Sequence, residues 1–147
     1  MPVDVSTEIV IDRPRAEVAA YASDPDNALD WYQHIKRVIW KTPKPLEVGS
    51  RVAFLAAFLG RQLEYVYEVK VLEPGERLVM STAAGRFPMQ TTYAWEDAPG
   101  GGTRMWLRNH GEPHGFSRLG SLLLRPAMRR ANRKDLRRLK DLLESRS

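Results

Sequence analysis

The sequence of 147 residues contains no cysteine. That excludes disulfides, thiol nucleophiles and cysteine-based zinc sites. Histidine is almost as scarce, with only His34, His110 and His114. The last two have a zinc-like spacing, but Gly111, Pro113 and Gly115 disfavour the helix that would bring both rings to one side, so no metal is expected. No segment approaches the roughly 20 apolar residues of a bilayer span. The N-terminal segment carries Asp4 and Glu8 where a secretory signal would be apolar. A cytoplasmic location is the expectation. A phosphate-binding Walker loop, a dinucleotide fingerprint, a Gly-x-Ser-x-Gly elbow and a paired-carboxylate spacing are all missing. No cofactor is expected.

What remains is an ordinary globular composition, 43% hydrophobic and 28% charged, consistent with a single domain over residues 1–147. Its charge is unevenly placed. Residues 118–147 hold ten Arg or Lys against three Asp or Glu, whereas the first 117 residues carry a net −2. The basic segment is also amphipathic. On a helical wheel at about 100° per residue, Leu124, Ala131, Leu139, Leu142 and Leu143 cluster around Met128. Arg129, Arg130, Arg133, Lys134, Arg137, Arg138 and Lys140 occupy the other side. The basic side is read as the solvated face of a docked helix. The apolar stripe is needed for packing, and the segment from Arg118 on lacks the aromatics that nucleic-acid binding usually adds. Neither nucleic acid nor stable membrane insertion is expected. A monomer or a homodimer are both open, with an outward Trp106 and the long strand at Arg61–Leu72 as features compatible with the latter.

Upstream of that helix the pattern is mostly strand. Val3–Ile11 alternates apolar and polar residues with period two. Pro14–Tyr21 reads as a short helix with Asp12 or Arg13 near its cap, and Asp24-Pro25 opens a second one ending near Tyr32. Strands are expected at Arg37–Lys41, Arg51–Phe58, Arg61–Leu72, Arg77–Ala83, Gln90–Glu96 and Thr103–Asn109. Gly60, Pro74-Gly75 and Pro99–Gly102 supply the turns between them. His110–Phe116 is a breaker-rich link, and Pro126 marks a start or kink of the final helix. Short links between successive strands imply an antiparallel meander. One apolar sheet face and one amphipathic helix pack most economically as a curved sheet of about seven strands wrapped around the C-terminal helix, with two short helices after the first strand. This is an α+β helix-grip fold.

Several segments carry a family resemblance. They are Ile9-Val10-Ile11-Asp12-Arg13-Pro14 followed by Ala16-Glu17-Val18, then Asp24-Pro25-Asp26 with Trp31. Further along come Val69–Leu78, Gly102-Thr103-Arg104-Met105 and the closing Leu136–Glu144. Their order and spacing resemble the START-related SRPBCC superfamily, in its bacterial polyketide cyclase/dehydrase-like branch, over nearly the whole chain. The resemblance implies a deep cavity between sheet and helix that takes hydrophobic small molecules. It implies no single activity, because such folds serve as lipid carriers, metabolite binders and aromatase/cyclases alike.

If the apolar strand faces point inward, the cavity wall comprises Phe54, Phe58, Tyr65, Tyr67, Met80, Met89, Tyr93, Trp95, Leu107 and Asn109. Leu78, Thr91 and Met105 share those faces. The helix adds Met128, Asn132 and Asp135, with Leu124, Ala131 and Leu139 on the same stripe. Two polar residues break that stripe: Asp135 lies about 20°, and Asn132 about 40°, from its centre. A carboxylate facing an apolar space is costly unless paired or protonated. Asp135, Tyr93 and Asn109 are therefore the candidate acid/base or orienting groups. Two functions follow. One is a carrier or sensor that binds a lipid, isoprenoid or polyketide-like aromatic, favoured by the lack of a recognisable catalytic constellation. The other is a metal-free cyclase/dehydratase-like enzyme using the same cavity. Convergence of Asp135 with a tyrosine hydroxyl on one space is the geometric feature that separates them.

Overall fold

The structure is a computed structural model describing residues 3–58, 60–82, 88–111 and 118–146, without the side chains of 58 and 118–123. Period-two alternation builds β1 (Val3–Ile11), which buries Val3, Val5, Thr7 and Ile11 and exposes Asp4, Ser6, Glu8 and Val10. The chain then enters α1 (Arg15–Ser23). Pro14 is the N-cap rather than the first helical residue, because its ψ of 145° leaves it extended. Its carbonyl still accepts the first helical bond, from the Val18 N–H at 3.1 Å. Asp12, expected near the cap, instead donates its backbone N–H to Glu144 Oε2 at 2.8 Å, tying the end of β1 to the C-terminal helix.

The second short helix is split. Asp24 accepts from the Asp26 N–H at 3.0 Å and caps a 3₁₀ turn at Pro25–Asn27. The turn runs into α2 (Ala28–Trp31), which buries Ala28 and Trp31. The remaining strands are β2 (Ile35–Trp40), β3 (Arg51–Phe58), β4 (Arg61–Glu73), β5 (Arg77–Thr82), β6 (Met89–Asp97) and β7 (Thr103–Gly111). They form one seven-stranded antiparallel sheet in the order β1-β7-β6-β5-β4-β3-β2. Gly60, at φ 76°, makes the tight β3–β4 connection.

Three local readings change. A bulge between Val69 and Val71 shifts the pairing of β4, so Leu72 rather than Val71 lies opposite the buried Leu78. β2 begins at Ile35, two residues before the expected Arg37. β7 runs on to Gly111, because pairing with both β1 and β6 continues that far. Trp106 lies on the outer face, half-buried opposite Glu8 and Ala94. A Cβ on Gly111 would sit 2.2 Å from the Pro88 carbonyl oxygen and 3.1 Å from Met89 Cα. Backbone would have to move to admit it, so Gly111→Ala is expected to destabilise the fold by about 1–3 kcal/mol. A urea midpoint equal to wild type would contradict that close approach.

The C-terminal helix, α3 (Arg118–Glu144), starts well before Pro126 and contains it. Pro126 is on the solvent side, where the helical hydrogen bond it removes is cheapest to lose. The C-terminal half of α3 docks on β1: Lys140 Nζ donates to the Val10 carbonyl at 2.8 Å, and Arg13 Nε to the Leu143 carbonyl at 2.8 Å. Beneath it lies the main core. Leu136, Leu139 and Leu143 from α3 meet Val18, Ala19 and Ala22 from α1, Trp31, and the inner faces of β1, β5, β6 and β7. Helix α1 thus plugs one end of the grip and leaves the other end to be shaped by α3, the sheet and the α2–β2 turn.

Candidate functional site

At that other end the sheet and α3 diverge around a cavity of about 530 Å³. Its floor comes from alternate residues of four strands: Phe54 on β3, Tyr65 and Tyr67 on β4, Met80 on β5, and Met89, Thr91 and Tyr93 on β6. Asn109 on β7 continues this inner face. The roof is one stripe of α3, namely Leu124, Met128, Ala131, Asn132 and Asp135, spaced at the three- and four-residue steps of a helix face.

Of the thirteen residues expected on the wall, ten are brought together here: Phe54, Tyr65, Tyr67, Met80, Met89, Tyr93, Asn109, Met128, Asn132 and Asp135. Trp95 and Leu107 point to the same side of the sheet but lie at the plugged end, buried in the core. Leu78, Met105 and Leu139 share that fate for the same reason. The side chain of Phe58 lies outside the described residues. The cavity also uses Tyr32, His34, Ile35, Ala56, Arg61 and Leu63, which the sequence reading did not assign to it. The position of Leu63 follows from the sequence, since it alternates with Tyr65. That of Tyr32 does not. It follows α2 in an extended conformation, and only tertiary packing places its ring against Trp31 and its hydroxyl against that of Tyr93.

The polar groups on the wall are few and mutually oriented. The hydroxyls of Tyr32 and Tyr93 share a short hydrogen bond. Thr91 Oγ1 donates to Asn109 Oδ1 at 2.9 Å and lies 3.4 Å from the Tyr67 hydroxyl. Asp135, only 4% exposed, accepts the backbone N–H of Gln33 at 3.0 Å. No ion pair to Asp135 occurs among the described residues, so its charge is poorly compensated. Burial pushes its carboxyl up to about 6, and the Gln33 hydrogen bond offsets part of that effect. Burial also raises the phenols: Tyr67 to about 12, with Tyr32 and Tyr93 well above their ordinary value. The Asp135 charge contributes to the rise at both Tyr32 and Tyr93, which puts the carboxylate and this hydroxyl pair in one electrostatic neighbourhood.

The site therefore holds protonated phenols as donors and one carboxyl that burial raises to about 6. An apolar chamber with a few convergent polar groups suits a drug-sized ligand. Among the described residues no group of three His, Asp or Glu comes together as a metal site, and no helix is long and apolar enough to cross a membrane.

A seven-stranded antiparallel sheet gripping a C-terminal helix, with a ligand-sized chamber between them, defines a helix-grip protein. The chain belongs to the family described as polyketide cyclase / dehydrase and lipid transport, whose sequence profile matches residues 2–144. No curated protein sequence matches it significantly. Solved structures of low sequence identity share the fold. The aromatase/cyclase ZhuI from Streptomyces sp. R1128 superposes with a TM-score of 0.83 at 11% identity, covering 98% of this chain and 94% of that one. TTHA0849 from Thermus thermophilus gives 0.81 at 19% identity, covering 97% and 99%. BexL, a di-domain aromatase/cyclase of the BE-7585A biosynthetic pathway, gives 0.77 at 17% identity, with 96% of this chain lying on 46% of that one.

Proposed function

We propose that the protein is a carrier or sensor that binds a hydrophobic small molecule, a lipid, isoprenoid or polyketide-like aromatic, in the chamber between sheet and α3. The observation that carries this reading is the lining. Phe54, Tyr65, Tyr67, Met80, Met89 and Met128 supply aromatic faces and adaptable thioethers, while the polar groups are confined to a few places. Aromatic faces stack on flat apolar ligands, and methionine adapts to irregular ones. Family membership supports the class of ligand without selecting among its members.

A second reading has a specific observation in its favour. Asp135 and the Tyr32–Tyr93 hydroxyl pair border the same chamber. A carboxyl raised to about 6 is close to the range in which a group both takes and returns a proton at neutral pH. With the phenols as donors to a ligand carbonyl, this arrangement supports proton abstraction beside that carbonyl, as a cyclisation or dehydration requires.

Binding is tested by native mass spectrometry of the freshly purified protein and by fluorescence titration with N-phenyl-1-naphthylamine. Ala131 is half-buried on the roof, so Ala131→Phe fills the chamber from one wall. Filling it is expected to weaken the probe at least tenfold, with an unfolding midpoint close to wild type. Equal affinity in wild type and variant would place the probe elsewhere and remove the reading. The enzymatic reading is separated by the pH profile of any turnover, which should rise through pH 6 and flatten in Asp135→Asn.

A further inference from the structure

A second depression adjoins the chamber. Leu29, Gln33, Lys36, Lys134 and Arg138 border it, and Tyr32, Ile35 and Asp135 are common to both spaces. Tyr32, Ile35 and Asp135 therefore form the partition between an apolar interior and an outer vestibule. Apart from Asp135, the charged groups that border the vestibule are cations. Lys134 and Arg138 are one helical turn apart on α3, and Lys36 faces them from the start of β2. These cations come from two different elements, so helix amphipathicity alone does not account for the cluster. Arg138 is anchored by donating Nε to the Asp30 carbonyl, and Lys36 Nζ donates to the Gln33 carbonyl at 3.2 Å. Each contact uses a backbone carbonyl as acceptor, not a carboxylate. No ion pair to Lys36, Lys134 or Arg138 occurs among the described residues.

Resting on the binding function proposed above, we infer that the ligand is an amphipathic carboxylate. Its apolar body occupies the chamber, and its anionic end passes Tyr32 and Asp135 to reach Lys36 and Lys134 in the vestibule. The geometry gives the two ends of such a molecule separate environments. The chamber wall offers aromatic and thioether surface, and the vestibule offers exposed cations. Asp135 stands at the junction. Its Oδ1 accepts from the Gln33 N–H, and the carboxyl borders both spaces where the ligand's head would join its body, so its protonated form is the one that admits an anionic end. The basic side of α3 then has a function in part: Lys134 and Arg138 face the vestibule, while Arg130, Arg133 and Arg137 are solvated.

The test uses a matched pair of fluorescent probes, 1-pyrenebutyric acid and 1-pyrenebutanol, which share the apolar body and differ in the charged end. The wild-type protein is expected to prefer the acid by about three- to tenfold at low salt, the range that a few partly exposed charge pairs supply. That preference should shrink as ionic strength rises, because exposed charges are screened. In Lys36→Met/Lys134→Met the acid-to-alcohol preference should fall towards one. Lys36 and Lys134 are both exposed, so the variant should fold, which far-UV circular dichroism checks. Lys36→Glu is a second variant, expected to invert the preference. Equal binding of acid and alcohol by wild type, or a preference that survives in the double variant, overturns the inference while leaving the chamber as a binding site. Failure of both probes to bind, with no co-purifying ligand, removes the binding function itself and the inference with it.

Discussion

Replacing Asp135 with Asn is expected to stabilise the protein at pH 8 and to make no such difference near pH 4. The carboxyl is 4% exposed, and burial raises it from 3.8 to about 6 in the folded state. The folded protein therefore holds this proton more tightly than the unfolded chain does. Stability associated with the group is fully present below the unfolded value, falls as pH rises towards 6, and is lowest above it. The gap of roughly two units corresponds to about 3 kcal/mol. Asn presents the same oxygen to the Gln33 N–H without a charge, so it should recover up to that amount at pH 8. For a chain of this size each kcal/mol moves the melting temperature by roughly 2–4 °C. Thermal melts of wild type and Asp135→Asn from pH 4 to pH 8 check the claim. A difference that does not change with pH would mean that Asp135 is not destabilised by its charge. A residue that weakens the fold and faces the chamber marks the place where function is expected to oppose stability. In the same variant, an orienting role in ligand binding should survive in part, whereas a proton-transfer role should be lost.

Trp31→Ala should be the most damaging single change in the core, by about 3–5 kcal/mol. Its side chain is fully buried, packs on the Tyr32 ring at 4.1 Å between centroids, and meets Tyr93 at 5.8 Å. The loss would come from apolar packing and not from a hydrogen bond, because the indole N–H has no partner among the described residues. Trp31→Phe keeps a ring and removes that unsatisfied donor, so it should cost much less than the alanine change. Urea denaturation of the two variants checks this, and equal losses would contradict the assignment of the loss to ring packing. The functional consequence follows from position. Trp31 backs the two tyrosines whose hydroxyls meet at the chamber wall. Trp31→Ala should therefore weaken ligand binding even under conditions where the protein remains folded.

The architecture was largely legible because it depends on local periodicity. Val3–Ile11 and Leu63–Val69 alternate with period two, and Leu124–Leu143 follows a helical stripe, so the apolar faces can be assigned without coordinates. Asp135 and Asn132 stood out on that stripe for the same reason, and both are buried. Local pattern and structure part where one residue or one dihedral decides. Pro14 caps α1 because its ψ is extended, and the bulge at Val69–Val71 reverses the alternation for Leu72. Neither has a signature that a period can register.

The site divides along the same line. Which side of the sheet a residue faces is a property of the sequence, since successive side chains of a strand alternate. Trp95 and Tyr93 are both inward by that rule, as are Leu107 and Asn109. How far along the inner face the core ends and the chamber begins is not encoded in any strand. It is set by α1, whose Val18, Ala19 and Ala22 pack with Leu136, Leu139 and Leu143 and fill one end. Tyr32, Ile35 and Lys36 join the site only because the α2–β2 turn lies against α3. The sequence by itself thus determined the fold, the inner face and the unusual acid on the helix. The tertiary structure decided where the chamber lies, which hydroxyls share its wall with the acid and which cations border the adjoining depression. Those three features depend on distances between elements remote in the chain, whereas the first three depend on spacings within one.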